Sequence, residues 1–216
     1  GEEGHFDYQA SFMSLPHILG LHTIDQIPRQ VPYLLPPSVP CLPLPQKSVP
    51  DGHQKRLKIA ICWNCNPDSP SSSQRSTDLA NFAAIAQLPQ VQCYSVQKEV
   101  TSGERQLLQQ LNIVDLSQSL DTFATTAAYL NQCDLVISVD TSIAHLAGAI
   151  ARPVWIAIGF HSDWRWFRDR VNSPWYPTAR IFRQPQTGDW QGLFQAMQTA
   201  LHRDYLNGDF LNRDLS

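Results

Sequence analysis

An α/β fold built on a doubly wound, mostly parallel sheet is the class that this 216-residue sequence predicts. From Leu57 onward, short runs rich in Val, Ile and Leu alternate with stretches whose apolar positions recur at helical spacing. The runs LKIAICW, DLVISV and PVWIAI are almost wholly apolar, as strands buried on both faces are. A composition of 43% hydrophobic and 16% charged residues suits a globular chain with a sizeable core.

The elements follow in order. LKIAICW is the first strand, and the polar loop NCNPDSPSSSQRS follows it. STDLANFAAIAQL reads as a helix capped by Ser76 or Thr77. VQCYSVQ is the second strand, and SGERQLLQQL a helix with Ser102 as cap and Arg105 in its first turn. NIVDL is a short third strand and DTFATTAAYLNQ a helix. DLVISV, TSIAHLAGAI and PVWIAI are strand, helix and strand. An aromatic, irregular stretch runs from Phe160 to Pro177; RIFRQ then reads as a last strand and DWQGLFQAMQTALHRD as a closing amphipathic helix. Right-handed crossovers give the Rossmann-like strand order 3-2-1-4-5, with the sixth at the edge.

Residues 1–56 have another texture. PYLLPPSVPCLPLPQKSVP is too dense in proline for a helix or a central strand, and YQASFMSLPHILGLHTIDQIP holds two possible helical turns. The expected organisation is an N-terminal extension and Pro-rich linker over 1–56, a Rossmann-like domain over 57–206 and a tail over 207–216.

Other classes are disfavoured. The net charge of -3 comes without any basic run, which argues against nucleic-acid and membrane surfaces. The longest apolar stretch, HLAGAIARPVWIAIGF, is broken by Arg and Pro, so no transmembrane segment is expected. Five irregularly spaced cysteines do not form a disulfide framework. Cys62-Trp-Asn-Cys65 has CxxC spacing, but Cys62 alternates within a strand and a Pro/Ser-rich loop follows. A reduced, cytoplasmic protein is the expectation. No carboxylate cluster has metal spacing, and GxGxxG after the first strand, GxxxxGK[ST], GxSxG and HExxH are all missing.

The candidate site follows from the strand order. Winding reverses between the first and fourth strands, and ligands bind beyond the carboxyl ends of strands at such a switch point. The fourth strand ends in SVDTSIAH. There the helix start offers backbone amides and a positive dipole end to an anion, with the Thr141 and Ser142 hydroxyls beside them. His145 shares their face. The same Asp140 or Thr141 also reads as an ordinary helix cap, with His145 packed beneath the sheet. The loop after the first strand carries Trp63 and Asn66, and Arg75 at its end can meet a phosphate. Gln97 and Lys98 close the second strand, where a ribose or base lies in such sheets. Trp164, Trp166, Trp175 and Tyr176 suit sugar rings, or a small core. Arg165, Arg168 and Arg170 suit pairing with Asp163 and Asp169, or a pyrophosphate.

The segment from CDLVISVDTSIAH through DWRW and SPWYP to RIFRQ resembles the carboxyl-terminal domain of bacterial glycosyltransferase-like proteins that often follow tetratricopeptide repeats. Those are similar to the heptosyltransferases and, more loosely, to O-linked N-acetylglucosamine transferases. The resemblance rests on Asp140, Thr141, Ser142 and His145, with Asp163 to Trp166 and Ser173 to Pro177 more specific to the repeat-linked group. It implies one half of a GT-B fold that binds a nucleotide-diphosphate sugar as donor, with no cofactor or metal, in an inverting glycosyltransferase. The acceptor, a saccharide, a lipid-linked glycan or a protein, would sit on the other, mostly absent half. That half would also bring the catalytic base, so the catalytic residues stay unassigned. The implied donor contacts are Asp140, Thr141, Ser142, His145, Trp63, Asn66, Arg75, Gln97, Lys98 and Trp164. Two departures stand out: Cys65 replaces the glycine of W-x-G-N-P, and Glu99 replaces the glycine after Gln97-Lys98. They motivate the alternative, a non-catalytic scaffold or interaction domain. A nucleotide-sugar epimerase is a third reading.

Overall fold

The computed structural model describes residues 7–35, 43–45, 56–69 and 72–207. Six strands form one sheet: β1 Leu57–Cys62, β2 Val91–Ser95, β3 Val114–Asp115, β4 Leu135–Val139, β5 Val154–Ile158 and β6 Ala179–Arg183. The order is β3-β2-β1-β4-β5-β6 and every pairing is parallel. The expected switch between the first and fourth strands is therefore present, with Ile61 facing Ile137 and Cys62 facing Ser138 in register.

The helices are α1 Leu15–Ile18, α2 Ser72–Arg75, α3 Ala83–Ala86, α4 Ser102–Gln110, α5 Phe123–Leu130, α6 Ser142–Ala149 and α7 Trp190–Leu201. They cover the sheet on both faces. On one face α3, α4 and α7 bury Ile85, Leu108, Leu193 and Met197 against Ile59, Ile61 and Ile137. On the other, α5 and α6 bury Leu130, Ala144 and Ala147 against Ala60, Val136 and Ile156. Strands apolar on both faces exist because each face has its own helical layer.

Four local expectations change. The helix expected over STDLANFAAIAQL is split into the 3-10 turn Leu79–Phe82 and the single turn α3. Neither Ser76 nor Thr77 caps it; Asp78 holds the N-cap position without a side-chain bond. Thr101, one residue earlier than Ser102, caps α4: its Oγ1 accepts from the Glu104 amide while Glu104 reaches back to the Thr101 amide, a capping box. NIVDL pairs only at Val114 and Asp115.

Two stretches of the N-terminal extension, around Tyr33 and Leu44, lie on the α5–α6 face. The Tyr33 and Leu34 amides donate to the Ala149 carbonyl at the end of α6, at 3.0 and 3.2 Å. Leu44 is buried, and its amide donates to Gln132 Oε1. Among the described residues no helix is long and apolar enough to cross a membrane.

Candidate functional site

The turn after β4 is tight and largely self-satisfied. Thr141 is the N-cap of α6, and its Oγ1 accepts from the Ile143 amide at 3.2 Å. The same hydroxyl lies 3.0 Å from Ser138 Oγ. Thr141 is thus buried and committed to the turn, while Ser142 is exposed. The Ser142 amide heads the helix, where no intrahelical acceptor exists.

Asp140 is only 3% exposed. Its Oδ2 lies 3.8 Å from Arg75 Nη1 and its Oδ1 3.9 Å from His145 Nε2, both beyond hydrogen-bond range. Asp140 Oδ2 and Arg75 Nε are both buried without a hydrogen-bond partner among the described residues. Arg75 is held by Ser69 Oγ at 2.7 Å and touches the Asp140 carbonyl at 3.5 Å. The loop that carries it leans over the sheet edge: a Cβ on Gly159, just past β5, would lie 3.0 Å from the Gln74 carbonyl oxygen.

His145 sits between aromatic rings. It stacks on Trp166, with centroids 5.3 Å apart, and its Nδ1 is 3.0 Å from the Tyr176 hydroxyl. Tyr33 donates to that hydroxyl over a long 3.4 Å contact. With Tyr33 as donor, Tyr176 is free to donate to Nδ1, which leaves the proton of a neutral imidazole on Nε2, toward Asp140. Burial holds the His145 pKa below its ordinary value, and Asp140 only partly offsets that. The Tyr176 ring lies flat on the α6 backbone, where a Cβ on Gly148 would come within 2.4 to 2.9 Å of it. A glycine at 148 is what lets the ring approach.

A second corner lies between β1 and α4. Gln97 Oε1 accepts from the Asn64 amide at 2.9 Å and the Trp63 amide at 3.3 Å, closing the ends of β1 and β2. Glu104 receives the Trp63 indole N–H at 2.5 Å and the Asn64 side-chain amide at 3.2 Å. Burial works to raise the Glu104 pKa, but bonds from Thr101, Trp63 and Asn64 outweigh it and hold the carboxylate ionised. Asn64, Ser72, Ser76, Gln97, Glu99 and Glu104 help line a cavity of about 410 Å³ there.

The ten expected contacts separate. Asp140, His145 and Arg75 converge, with Thr141 and Ser142 beside them. Gln97 closes the neighbouring corner. Trp63 is fully buried, so its ring is core and not a ligand surface. Asn66 is exposed and accepts from the Asp68 amide in a local turn. Lys98 is exposed, with Nζ 3.5 Å from the Ser117 carbonyl. Trp164 is half exposed, edge-on to Trp175. Arg165 pairs with Asp163 at 3.3 Å as expected. Cys65 needs no glycine-like backbone; it is buried, with Sγ 3.2 Å from Ser76 Oγ. Cys62, Cys65, Cys93 and Cys133 are free and buried, and burial pushes the Cys62 thiol up to about 11, which makes it inert. Tyr33, Gly148 and Glu104 are residues that the sequence reading does not single out, and Tyr176, which it offers to a sugar ring or a small core, meets His145 instead. Nothing local ties Tyr176 to His145, 31 positions away.

Residues 86–189 match the family described as Glycosyltransferase family 9 (heptosyltransferase). That stretch is similar to a glycosyltransferase family 9 domain. The matched span runs from the end of α3 to the start of α7 and includes Asp140, Thr141, Ser142, His145 and Tyr176. Over 93 residues the chain is 36% identical to Protein FlbA of Caulobacter vibrioides, covering 43% of this chain and 14% of that protein. The fold of E. coli heptosyltransferase WaaC, solved with ADP, superposes with a TM-score of 0.51 at 15% identity, over 68% of this chain and 44% of that one. A family 9 glycosyl transferase from Veillonella parvula aligns at 14% identity and a TM-score of 0.43, over 66% and 38% of the two chains. The chain therefore spans less than half the length of these proteins. The six-stranded parallel sheet is of the Rossmann-like kind, the fold it shares with that heptosyltransferase.

Proposed function

We propose that this chain is the donor-binding part of a metal-independent, inverting glycosyltransferase, and that the start of α6 holds the diphosphate of a nucleotide sugar. The observation that carries this reading is buried Asp140 flanked by half-buried Arg75 and His145 at the switch point. Asp140 Oδ2 and Arg75 Nε are costly to bury unpaired, about 1–3 kcal/mol each. A bound diphosphate that engages Arg75 would relieve part of that cost.

Asp140 orients Arg75 and His145. The Ser142 amide and hydroxyl and Arg75 face the anion, while the Nε2–H of His145 stays toward Asp140 beside them. Thr141 shapes the turn from within. Gln97 and the cavity of about 410 Å³ beside Glu104 receive the nucleoside. An acceptor oxygen attacks the anomeric carbon, the bond from that carbon to the diphosphate oxygen breaks, and the nucleoside diphosphate leaves with the electron pair. The helix end, the hydroxyl of Ser142 and Arg75 meet the charge that develops on it. The acceptor, its proton-accepting base and any tetratricopeptide repeats belong to other parts of the full protein. Exposed Lys98 and Trp164 serve as rim contacts, and Trp63 and Asn66 serve through the loop they shape.

Calorimetry with a panel of ADP-, UDP- and GDP-sugars tests this directly. At least one is expected to bind, equally well with and without a chelator, and about tenfold more weakly to Arg75→Ala. Absence of binding by every sugar nucleotide would leave the scaffold reading, for which exposed Glu99 on the cavity wall is the supporting observation.

A further inference from the structure

A second basic region lies on the far edge of the sheet. A cavity of about 600 Å³ opens between β6, α7 and the segment around residues 168–171. Five arginines line it: Arg168, Arg170, Arg180, Arg183 and Arg203. That is five of the 16 Lys and Arg residues in a chain of net charge -3. β6 is two strands removed from β4, and α7 covers the opposite face from α6, so the cavity shares no residue with the Asp140 cluster.

The internal pairing of these arginines is incomplete. Arg180 and Arg203 both clamp Asp204, at 2.7 and 2.6 Å. Arg183 is anchored inward on Ser162 and the Phe167 carbonyl. Arg170 donates through Nε to Asn172 Oδ1 and lies over the Phe167 ring at 5.9 Å, with no ion pair among the described residues. Arg168, on the exposed rim, makes no hydrogen bond or ion pair among the described residues. Burial lowers the Arg183 pKa, Asp169 offsets part of that, and the Arg168 charge adds a smaller push in the same direction as burial. Five arginines thus share this region with two carboxylates, Asp169 and Asp204. An anion placed among them would relieve the repulsion between like charges.

We propose that this cavity is a binding site for a phosphate group on an organic body, separate from the donor crevice. A single carboxylate already satisfies two arginines here, as Asp204 does, so the charge left over calls for a doubly charged group with several acceptor oxygens. The walls also carry Val171, Ile181 and Ala200, which suits an apolar body behind the phosphate. The volume exceeds what a bare phosphate fills.

The test follows the arginine Nε–Hε resonances of the full 216-residue chain by NMR during titration. One arm uses inorganic pyrophosphate; the other uses vesicles of phosphatidic acid in phosphatidylcholine, with phosphatidylcholine alone as control. Shifts at Arg168 and Arg170 in the first arm assign the site to free phosphates, and in the second arm alone to a lipid headgroup. The double variant Arg168→Ala/Arg170→Ala is expected to weaken the response at Arg180 and Arg203 at least tenfold, and Thr141→Ala to leave it unchanged. Arg168→Lys, which keeps the charge without the fork, falls between. No shift in either arm at millimolar phosphate, or an undiminished response in the double variant, overturns the proposal.

Discussion

Two turns meet at the switch point, and they are built in opposite ways. The one after β4 is short, and its polar groups are turned inward: Thr141 Oγ1 serves Ile143 and Ser138, and Asp140 is almost fully buried. The one after β1 is long and polar, and among its described residues it is Arg75 that reaches the first turn. One turn is a fixed socket; the other supplies the charge that completes it. A binding site assembled this way keeps its geometry in the strand–helix corner and its adjustable contact in the loop.

The largest effect should come from the root of the long loop. Trp63→Ala is expected to cost about 3–5 kcal/mol in urea unfolding, because a fully buried indole and its bond to Glu104 are lost together. Trp63→Phe should keep most of the stability and the nucleotide affinity; a large loss of affinity with stability intact would put this ring at the ligand after all.

Gly148→Ala comes next, at about 1–3 kcal/mol, because the new methyl meets the Tyr176 ring. Its sharper readout is local: moving Tyr176 frees His145 Nδ1, and the imidazole ¹⁵N shifts should report mixed tautomers where the wild type has one. Tyr176→Phe should reproduce the shift change while costing only about 1 kcal/mol. If the tautomer stays the same in both variants, the Tyr33–Tyr176 chain does not set it.

The pH response is smaller and separates the two turns again. His145 titrates below the ordinary 6.5 when folded, so the unfolded chain takes the proton first. Stability should hold above that value and fall as the pH drops from 6.5 toward the lowered folded pKa. His145→Gln should flatten this part of a urea-midpoint profile. Arg75→Ala, in the other turn, should leave its direction unchanged while weakening nucleotide binding.

Much of this was legible in the chain. Buried runs such as DLVISV and PVWIAI gave the strands, and crossover handedness gave their order, because both follow from burial on two faces. The switch point then placed Asp140 and Arg75 together across 65 positions. Finer assignments failed where two residues compete for one role. Thr101 and Ser102 are both good caps, and only the Glu104 partner decides between them. Trp63 continues the alternation of β1 past its end, and its burial depends on Leu79 and Phe82, which pack in the same core cluster. The aromatic stretch 160–177 has no periodicity to read, so neither the Tyr176–His145 contact nor the turning of Arg168 and Arg170 to the far edge could be found in it.

The most direct test of the donor site is a backbone ¹H–¹⁵N titration with the best-binding nucleoside diphosphate. The amide of Ser142 is expected to shift most, with Ile143 and the Arg75 side chain following and Asn66 and Trp164 responding weakly. Saturable binding whose largest shifts fall elsewhere, with Ser142 unmoved, would contradict the placement of the diphosphate at the start of α6.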